Sequence, residues 1–141
     1  MTQRLLQYGA KKNPAEVSEV LTYIFERNDE LTKQDERGTP VCIWGTHGLG
    51  KTALVKEFAT SREWQFAYIA PAQFEEMGDL HGMPIEVDPT PEAPNSGDEY
   101  TYYAAPDWVP KKEGPGILLL DDLNRADDRI LRGCMQLLQN F

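Results

Sequence analysis

The stretch VCIWGTHGLGKTALVKEF, residues 41–58, decides which fold the sequence predicts. It begins with a short apolar run, VCIW at 41–44, which is typical of a buried strand. A glycine-rich loop follows at 45–50, and the remainder has the apolar spacing of a helix. One side of that helix collects Leu54, Val55 and Phe58. A strand, a glycine loop and a helix in this order bring backbone N–H groups and a helix N-terminus to one point, where an anion can bind.

The glycine loop satisfies the pattern G-x-x-x-x-G-K-[ST] between Gly45 and Thr52. In this pattern the glycines let backbone N–H groups point at phosphate oxygens, while the lysine, here Lys51, contacts the β- and γ-phosphates. The Thr52 hydroxyl would bind Mg²⁺. A glycine-rich turn beside a lysine-headed helix is the alternative, but the apolar run before the loop and the helix after it favour phosphate binding. The predicted nucleotide-binding residues are Gly45, Thr46, His47, Gly48, Leu49, Gly50, Lys51, Thr52 and Ala53, with His47 expected to fill the loop rather than to catalyse.

A second motif, GILLLDDLNRAD at 116–127, joins an apolar run to two adjacent acids. A buried strand ending in this way would place Asp121 where it can bind the Mg²⁺ that accompanies the phosphates. Asp122, one residue further, is the candidate base that orients or deprotonates the attacking water. An isolated pair of aspartates would favour a helix cap or a solvated loop, but the apolar strand and the phosphate loop reverse that preference. The two motifs together predict ATP with Mg²⁺ as the ligand.

The rest of the chain alternates helical and strand-like segments. Asn13 can cap a helix at 14–28, residues 64–70 are typical of a strand, and 71–80 contain a short helix. The last segment is helical, with one face formed by Ile130, Leu131, Cys134 and Leu138. This order predicts an α/β fold with a mostly parallel sheet, in the three-layer α/β/α arrangement of a P-loop NTPase.

A proline-rich insertion at about 84–116 precedes the strand of the second motif. Its segments MPIEVD and EYTYYA are predicted to form the two arms of a hairpin around a polar loop. The insertion also holds an aromatic cluster formed by Tyr100, Tyr102, Tyr103 and Trp108. Few cations lie nearby in the sequence, so packing within the hairpin or contact with a protein is favoured over stacking on nucleic-acid bases.

Composition limits the other classes of function. The chain has 141 residues, enough for one domain, and its net charge of −9 does not favour binding to nucleic acid or to an anionic membrane. The sequence contains no apolar run long enough for a signal peptide or a membrane span. Cys42 and Cys134 both lie in apolar runs, so both are expected to be buried, reduced thiols. We therefore predict a cytoplasmic protein.

With both motifs in view, the chain resembles an AAA+ ATPase of the MoxR type. The resemblance rests on GTHGLGKT at 45–52, GILLLDDLNRAD at 116–127, GDLHGMPI at 78–85 and PDWVPKKEGPG at 106–116. The run Asn124–Arg125–Ala126 is the most selective part, since many families share the phosphate loop. The resemblance covers residues 13–141 and corresponds to the first part of the nucleotide-binding module.

This resemblance implies a ring, commonly a hexamer, in which a neighbouring subunit supplies an arginine to each ATP site. ATP hydrolysis would drive remodelling of a protein partner, and the hairpin at 84–116 would correspond to an insertion that faces the central channel. The sensor-1 strand, the arginine-finger region and the C-terminal lid have no counterpart before Phe141. We therefore expect a domain that is incomplete at its C-terminus, where the strands of the two motifs either pair directly or leave an unpaired edge.

One departure from the family affects catalysis. The catalytic acid of the family is usually glutamate, whereas Asp122 is one methylene shorter, so slow hydrolysis is expected while ATP binding should be retained. This leaves an alternative from another class, a nucleotide-dependent switch or interaction module that binds ATP with little turnover. A small P-loop kinase is the second alternative, but it would need a cluster of lid arginines and an acceptor pocket, which the sequence after Asp121 does not indicate.

Overall fold

The computed structural model describes residues 9–86 and 101–139, and within them the chain is a mixed α/β protein. Its contacts divide it into two units, one formed by the chain up to Glu63 and by its last residues from Leu138, the other by Trp64–Leu137. The helices are α1 (Pro14–Lys33), α2 (Lys51–Ser61), α3 (Met77–His81) and α4 (Asp128–Gln139). The strands are β1 (Gln65–Ile69), β2 (Met83–Glu86), β3 (Thr101–Ala104) and β4 (Gly116–Leu120).

Helix α1 begins at the predicted cap. The Asn13 side chain accepts a hydrogen bond from the Glu16 backbone N–H at 3.0 Å, and Glu16 Oε2 accepts one from the Asn13 N–H at 2.8 Å. These bonds satisfy two N–H groups that a helix start leaves without partners. The Asn13 N–H, followed by the Lys12 ammonium, holds the pKa of Glu16 below its ordinary value. The cap therefore contributes fully at neutral pH, and the contribution of Glu16 is lost as the pH falls through this lowered pKa.

Replacing Asn13 by alanine is expected to lower the free energy of unfolding by about 1 kcal/mol, the usual cost of losing an N-cap side chain. Urea denaturation followed by circular dichroism measures this loss. Ser18→Ala is the matched control, because the Ser18 hydroxyl donates only to the Pro14 carbonyl inside α1. Equal stabilities of the two variants would contradict the capping role of Asn13.

Helix α1 is longer than the sequence predicted and ends at Lys33 rather than near residue 28. Ion pairs join Arg27 to Glu30 at 2.8 Å and Lys33 to Asp29 at 2.6 Å. Such pairs, three or four residues apart, support a helix even where its face is exposed. Helix α1 therefore continues beyond its predicted end through a charged segment up to Lys33.

Helices α1 and α2 pack through an aromatic contact in the first unit. The rings of Phe25 and Phe58 lie 5.7 Å apart between centroids, and the Arg62 guanidinium lies 3.8 Å from the centre of the Phe58 ring. Arg62 also donates to the Thr22 hydroxyl at 2.6 Å. Leu21 is buried on the same helix as Phe25. These contacts fix α2 against α1.

The predicted strand at 41–44 is wrong. Residues 41–44 have no regular secondary structure, and Cys42 and Trp44 in this run are exposed. The prediction of a buried Cys42 is therefore wrong too. A strand is stabilised by hydrogen bonds to a neighbour, and in the described chain β4 pairs with β1 and not with this run. An apolar run without a ladder partner remains irregular.

In the second unit, β1 and β4 form a parallel two-stranded sheet, with Gln65 opposite Gly116 and Ile69 opposite Leu120. This confirms the predicted strands and the parallel sheet, whereas the sheet is too small to establish the layers of a P-loop NTPase. Strands β2 and β3 pair in antiparallel register, with Met83 opposite Ala104. The paired arms confirm the predicted hairpin, and the loop predicted at 89–97 lies outside the described residues.

The core of the second unit lies between its sheet and its helices. One cluster of this core consists of the buried residues Ile69, Leu80, Ile130 and Cys134. Partly buried side chains surround them, namely Phe74, Trp108, Leu118, Leu120, Leu123, Ala126 and Leu137. Cys134 is buried, as predicted, and burial raises the pKa of its thiol. Across the described residues, no helix is both long and apolar enough to cross a membrane.

The segment predicted as a short helix at 71–80 forms two helical pieces. A 3₁₀ turn covers Pro71–Gln73, and α3 starts after Glu76. The Asp79 carboxylate accepts hydrogen bonds from the backbone N–H groups of Glu75 and Glu76, each at 3.1 Å. This carboxylate therefore closes the first turn of α3 and joins the two pieces.

Candidate functional site

The glycine loop of the first unit is exposed and leads directly into α2. Gly48 and Gly50 have φ angles of 78° and 75°, in the left-handed region that glycine adopts without strain. Gly50 is the N-cap residue of α2 and has no side chain that could hydrogen-bond to the first turn. An anion at this helix start would therefore meet no competition from a capping side chain.

Lys51 folds back over this loop. Its ammonium Nζ donates to the Gly45 carbonyl and to the Thr46 carbonyl, each at 3.0 Å. These two hydrogen bonds hold the positive charge of Lys51 beside the loop. Space around Gly45 is limited as well, since a Cβ there would lie 3.2 Å from Leu49 Cδ1. The structure thereby brings together three of the predicted nucleotide-binding residues in one local contact.

Asp121 follows the last residue of β4, at the carboxyl end of the parallel pair. Its backbone N–H donates to the Ile69 carbonyl at 2.9 Å and extends the strand pairing by one residue. Asp121 Oδ1 accepts a hydrogen bond from the Asp122 N–H at 3.1 Å, and Oδ2 accepts one from the Tyr68 hydroxyl at 3.3 Å. Each carboxylate oxygen of Asp121 therefore accepts a hydrogen bond, one from the next backbone N–H and one from a side chain of the neighbouring strand β1.

Sequence analysis did not find Tyr68. Tyr68 lies in the strand predicted at 64–70, but it is 53 residues from Asp121 along the chain. No local pattern of the sequence predicts that these two side chains are in contact. Partial desolvation of the ring, followed by the negative charge of Asp121, raises the pKa of the Tyr68 phenol above its ordinary value. The phenol is therefore protonated at neutral pH and acts as the donor of this hydrogen bond.

Asp122 has a left-handed backbone, with φ 48° and ψ 35°, and begins a 3₁₀ turn at Leu123–Arg125. Aspartate tolerates this conformation better than most residues do. The Asp122 carbonyl accepts a hydrogen bond from the Arg125 N–H at 2.9 Å, and the Asp122 side chain is exposed. The turn thus fixes the backbone of Asp122, while its side chain stays accessible to solvent.

The predicted site residues fall into the two units. Gly45, Lys51 and Thr52 belong to the first unit, and Asp121 and Asp122 belong to the second.

The donor atoms proposed for Mg²⁺ fit that ion chemically. Mg²⁺ prefers oxygen ligands and is usually held by one or two protein groups together with substrate phosphates and waters. The Thr52 hydroxyl in the first unit and the Asp121 carboxylate in the second are each groups of this kind, and both Asp121 oxygens already accept hydrogen bonds that fix their direction. Within residues 9–86 and 101–139, no group of three or more His, Cys, Asp or Glu side chains could hold a metal alone.

Several other charged and aromatic residues lie in local contacts. Lys12 pairs with Glu16 at 3.2 Å, and Arg129 pairs with Asp127 at 3.3 Å. The Trp108 indole N–H donates to the Asp79 carbonyl at 3.2 Å and its ring packs against the core of the second unit. Trp108 is therefore a packing residue. Tyr100 of the predicted aromatic cluster lies outside the described residues.

Comparison of the chain with models of protein families, with curated proteins and with solved structures gave no match.

Proposed function

We propose that this protein binds ATP together with Mg²⁺ and hydrolyses it, as the nucleotide-binding part of a MoxR-type AAA+ ATPase. The observation that carries the proposal is the glycine loop at the start of α2, with Lys51 Nζ held 3.0 Å from the carbonyls of both Gly45 and Thr46. A lysine in this place, beside left-handed glycines and a helix N-terminus, supplies what phosphate groups need. The three-layer α/β/α P-loop fold is part of the same proposal, which the parallel pairing of β1 and β4 supports at the level of fold class.

In the proposed reaction, the Lys51 ammonium exchanges its two carbonyl partners for the β- and γ-phosphates of ATP. The backbone N–H groups of the loop and of the first turn of α2 orient the phosphates, and the Thr52 hydroxyl and Asp121 carboxylate hold the Mg²⁺. The metal ion, when bound, neutralises charge on the transferring phosphoryl group. Asp122 orients the attacking water and accepts its proton, so that ATP and water give ADP and phosphate.

The output of the reaction is remodelling of a protein partner by a ring of subunits, commonly a hexamer, in the cytoplasm. The hairpin supports contact with a protein, since Met83, Ile85 and Tyr103 on it are 61%, 48% and 58% exposed. Large exposed side chains of this kind are common in surfaces that contact other proteins. The arginine that completes each ATP site would come from a neighbouring subunit.

A second candidate function is a nucleotide-dependent switch that binds ATP with little turnover. The presence of Asp122, in place of the longer glutamate that the resemblance implies, favours it. Phosphate release in the presence of Mg²⁺-ATP separates the two functions, because only the ATPase releases many phosphates per protein molecule, one from each ATP that it hydrolyses.

The test of ATP binding is thermal unfolding with and without Mg²⁺-ATP, comparing the parent with Lys51→Ala. A ligand at about a hundred times its Kd stabilises the folded state by about 2.7 kcal/mol, so the parent should unfold at a clearly higher temperature. The Lys51→Ala variant should lose this increase, because the phosphates lose their cation. Lys56→Ala is the control, since Lys56 lies on the exposed side of the same helix and should not affect binding.

An unchanged unfolding temperature in a folded parent would contradict the proposal. So would an increase of the same size in Lys51→Ala, since ATP would then bind somewhere other than the glycine loop. Circular dichroism without ligand establishes that each protein is folded before the comparison is made.

A further inference from the structure

The end of the parallel strand pair fixes the backbone around Asp121. Tyr68 and Ile69 of β1 lie opposite Leu119 and Leu120 of β4. One residue beyond β4, the Asp121 N–H still donates to the Ile69 carbonyl at 2.9 Å. The main chain of Asp121 is therefore tied to β1, and its side chain starts from a position that the sheet defines.

The Asp121 carboxylate is also oriented by two hydrogen bonds from different directions. The Asp122 N–H donates to Oδ1 at 3.1 Å and the Tyr68 hydroxyl donates to Oδ2 at 3.3 Å. Because these bonds involve both oxygens, they resist rotation about both side-chain torsions of Asp121.

We propose that Tyr68 is a positioning residue, whose hydroxyl holds the Asp121 carboxylate in the orientation that binds Mg²⁺ in the ATP complex. The inference rests on the proposed ATP-binding function and adds to it a residue on a different strand. A hydrogen bond to a metal ligand restricts the motion of that side chain before the metal binds, so less conformational entropy is lost on binding. Removal of the hydrogen-bond partner typically weakens metal binding about 10–100-fold. Since Tyr68 is 45% exposed and gives a single bond, we expect an effect of about tenfold, at the lower end of that range.

Competition between the Tyr68 hydroxyl and Mg²⁺ for Oδ2 would have the opposite effect, and the test distinguishes the two. If the hydroxyl had to leave Oδ2 before Mg²⁺ could bind, it would compete with the metal, and its removal would strengthen Mg²⁺ binding. A purely structural role would instead weaken ATP binding whether or not Mg²⁺ is present. The three roles therefore differ in how a Tyr68→Phe substitution changes the gain in ATP affinity that Mg²⁺ provides.

The experiment measures the Kd for ATP by calorimetric titration in Mg²⁺ and again in EDTA, for the parent and for Tyr68→Phe. We expect equal affinities in EDTA and about tenfold weaker affinity of the variant in Mg²⁺. Tyr23→Phe is the control, because Tyr23 is a tyrosine on α1 that is 74% exposed, and it should match the parent in both conditions. If the variant has a lowered unfolding temperature, the same titrations at low temperature, with Mn²⁺ followed by electron paramagnetic resonance, give the comparison on folded protein.

Three results would overturn the inference: equal affinities of the variant and parent in Mg²⁺, tighter binding by the variant in Mg²⁺, or an equal loss of affinity in both conditions. A parent that binds ATP with the same Kd in Mg²⁺ and in EDTA would overturn it as well, while leaving ATP binding itself established. A parent that binds ATP in neither condition would overturn the proposed function together with the inference.

Discussion

Replacing Gly82 by alanine is expected to lower the free energy of unfolding of the second unit by about 3 kcal/mol. Gly82 ends α3 and leads into β2, with φ 88° and ψ 176°, a conformation that is almost restricted to glycine. A Cβ on Gly82 would lie 1.9 Å from the Ala104 carbonyl oxygen and 3.0 Å from its carbon. Both are backbone atoms of β3, so no change of side-chain rotamer can relieve the overlap.

The matched control for this prediction is Gly78→Ala, four residues earlier in α3. A Cβ on Gly78 would approach only the end of a flexible side chain, at 3.2 Å from Met83 Sδ. Urea denaturation of both variants gives the free energies, and amide spectra of β2 and β3 show whether the hairpin has shifted. If Gly82→Ala lost less than about 1 kcal/mol with unshifted hairpin signals, the close approach of Gly82 to Ala104 would not be a constraint on this protein.

The hairpin shows which part of the contact between Gly82 and Ala104 can be predicted from the sequence. The β-branched and aromatic residues of its two arms predicted the strands, and the antiparallel pairing of Met83 with Ala104 agrees. The sequence does not show why a glycine stands at the junction, because that depends on where the other arm passes. A contact of this kind arises only once β3 is paired with β2.

The prediction of a strand at 41–44 was wrong for a related reason. Its composition is that of a buried strand, but a strand also requires a neighbour that completes its hydrogen bonds. The apolar run of β4, equally short, did form a strand because β1 pairs with it along its whole length. Composition alone did not distinguish these two runs, since the choice of partner is a property of the sheet and not of either segment.

The candidate site was predictable where its residues are neighbours in sequence. The glycine loop, its left-handed turns and the position of Lys51 at the start of α2 all follow from a pattern of eight consecutive residues. The fold adds the two carbonyl partners of Lys51 and the hydroxyl of Tyr68 beside Asp121. The Tyr68 contact depends on the register of β1 against β4, which no local pattern of the sequence contains.

Replacing Ile130 by alanine is expected to lower the free energy of unfolding by about 3 kcal/mol, the usual size for a large aliphatic residue removed from a core. Ile130 is only 2% exposed and lies in the buried cluster with Ile69, Leu80 and Cys134. The substitution would leave a cavity between α4 and the sheet that these neighbours can fill only in part. Calorimetry and urea denaturation should both report the loss.

Leu131→Ala is the matched control for Ile130→Ala, and it also tests the orientation of helix α4 about its axis. The helical spacing placed Ile130 and Leu131 on one apolar face, whereas the structure buries Ile130 and leaves Leu131 half-buried. Less apolar surface is removed from water at Leu131, so its truncation should cost about 1 kcal/mol. If Leu131→Ala were as destabilising as Ile130→Ala, α4 would be turned about its axis relative to the present packing. Cys134, four residues after Ile130, would then lie nearer the rim of the core, and its thiol would react with a soluble disulfide reagent in the folded protein.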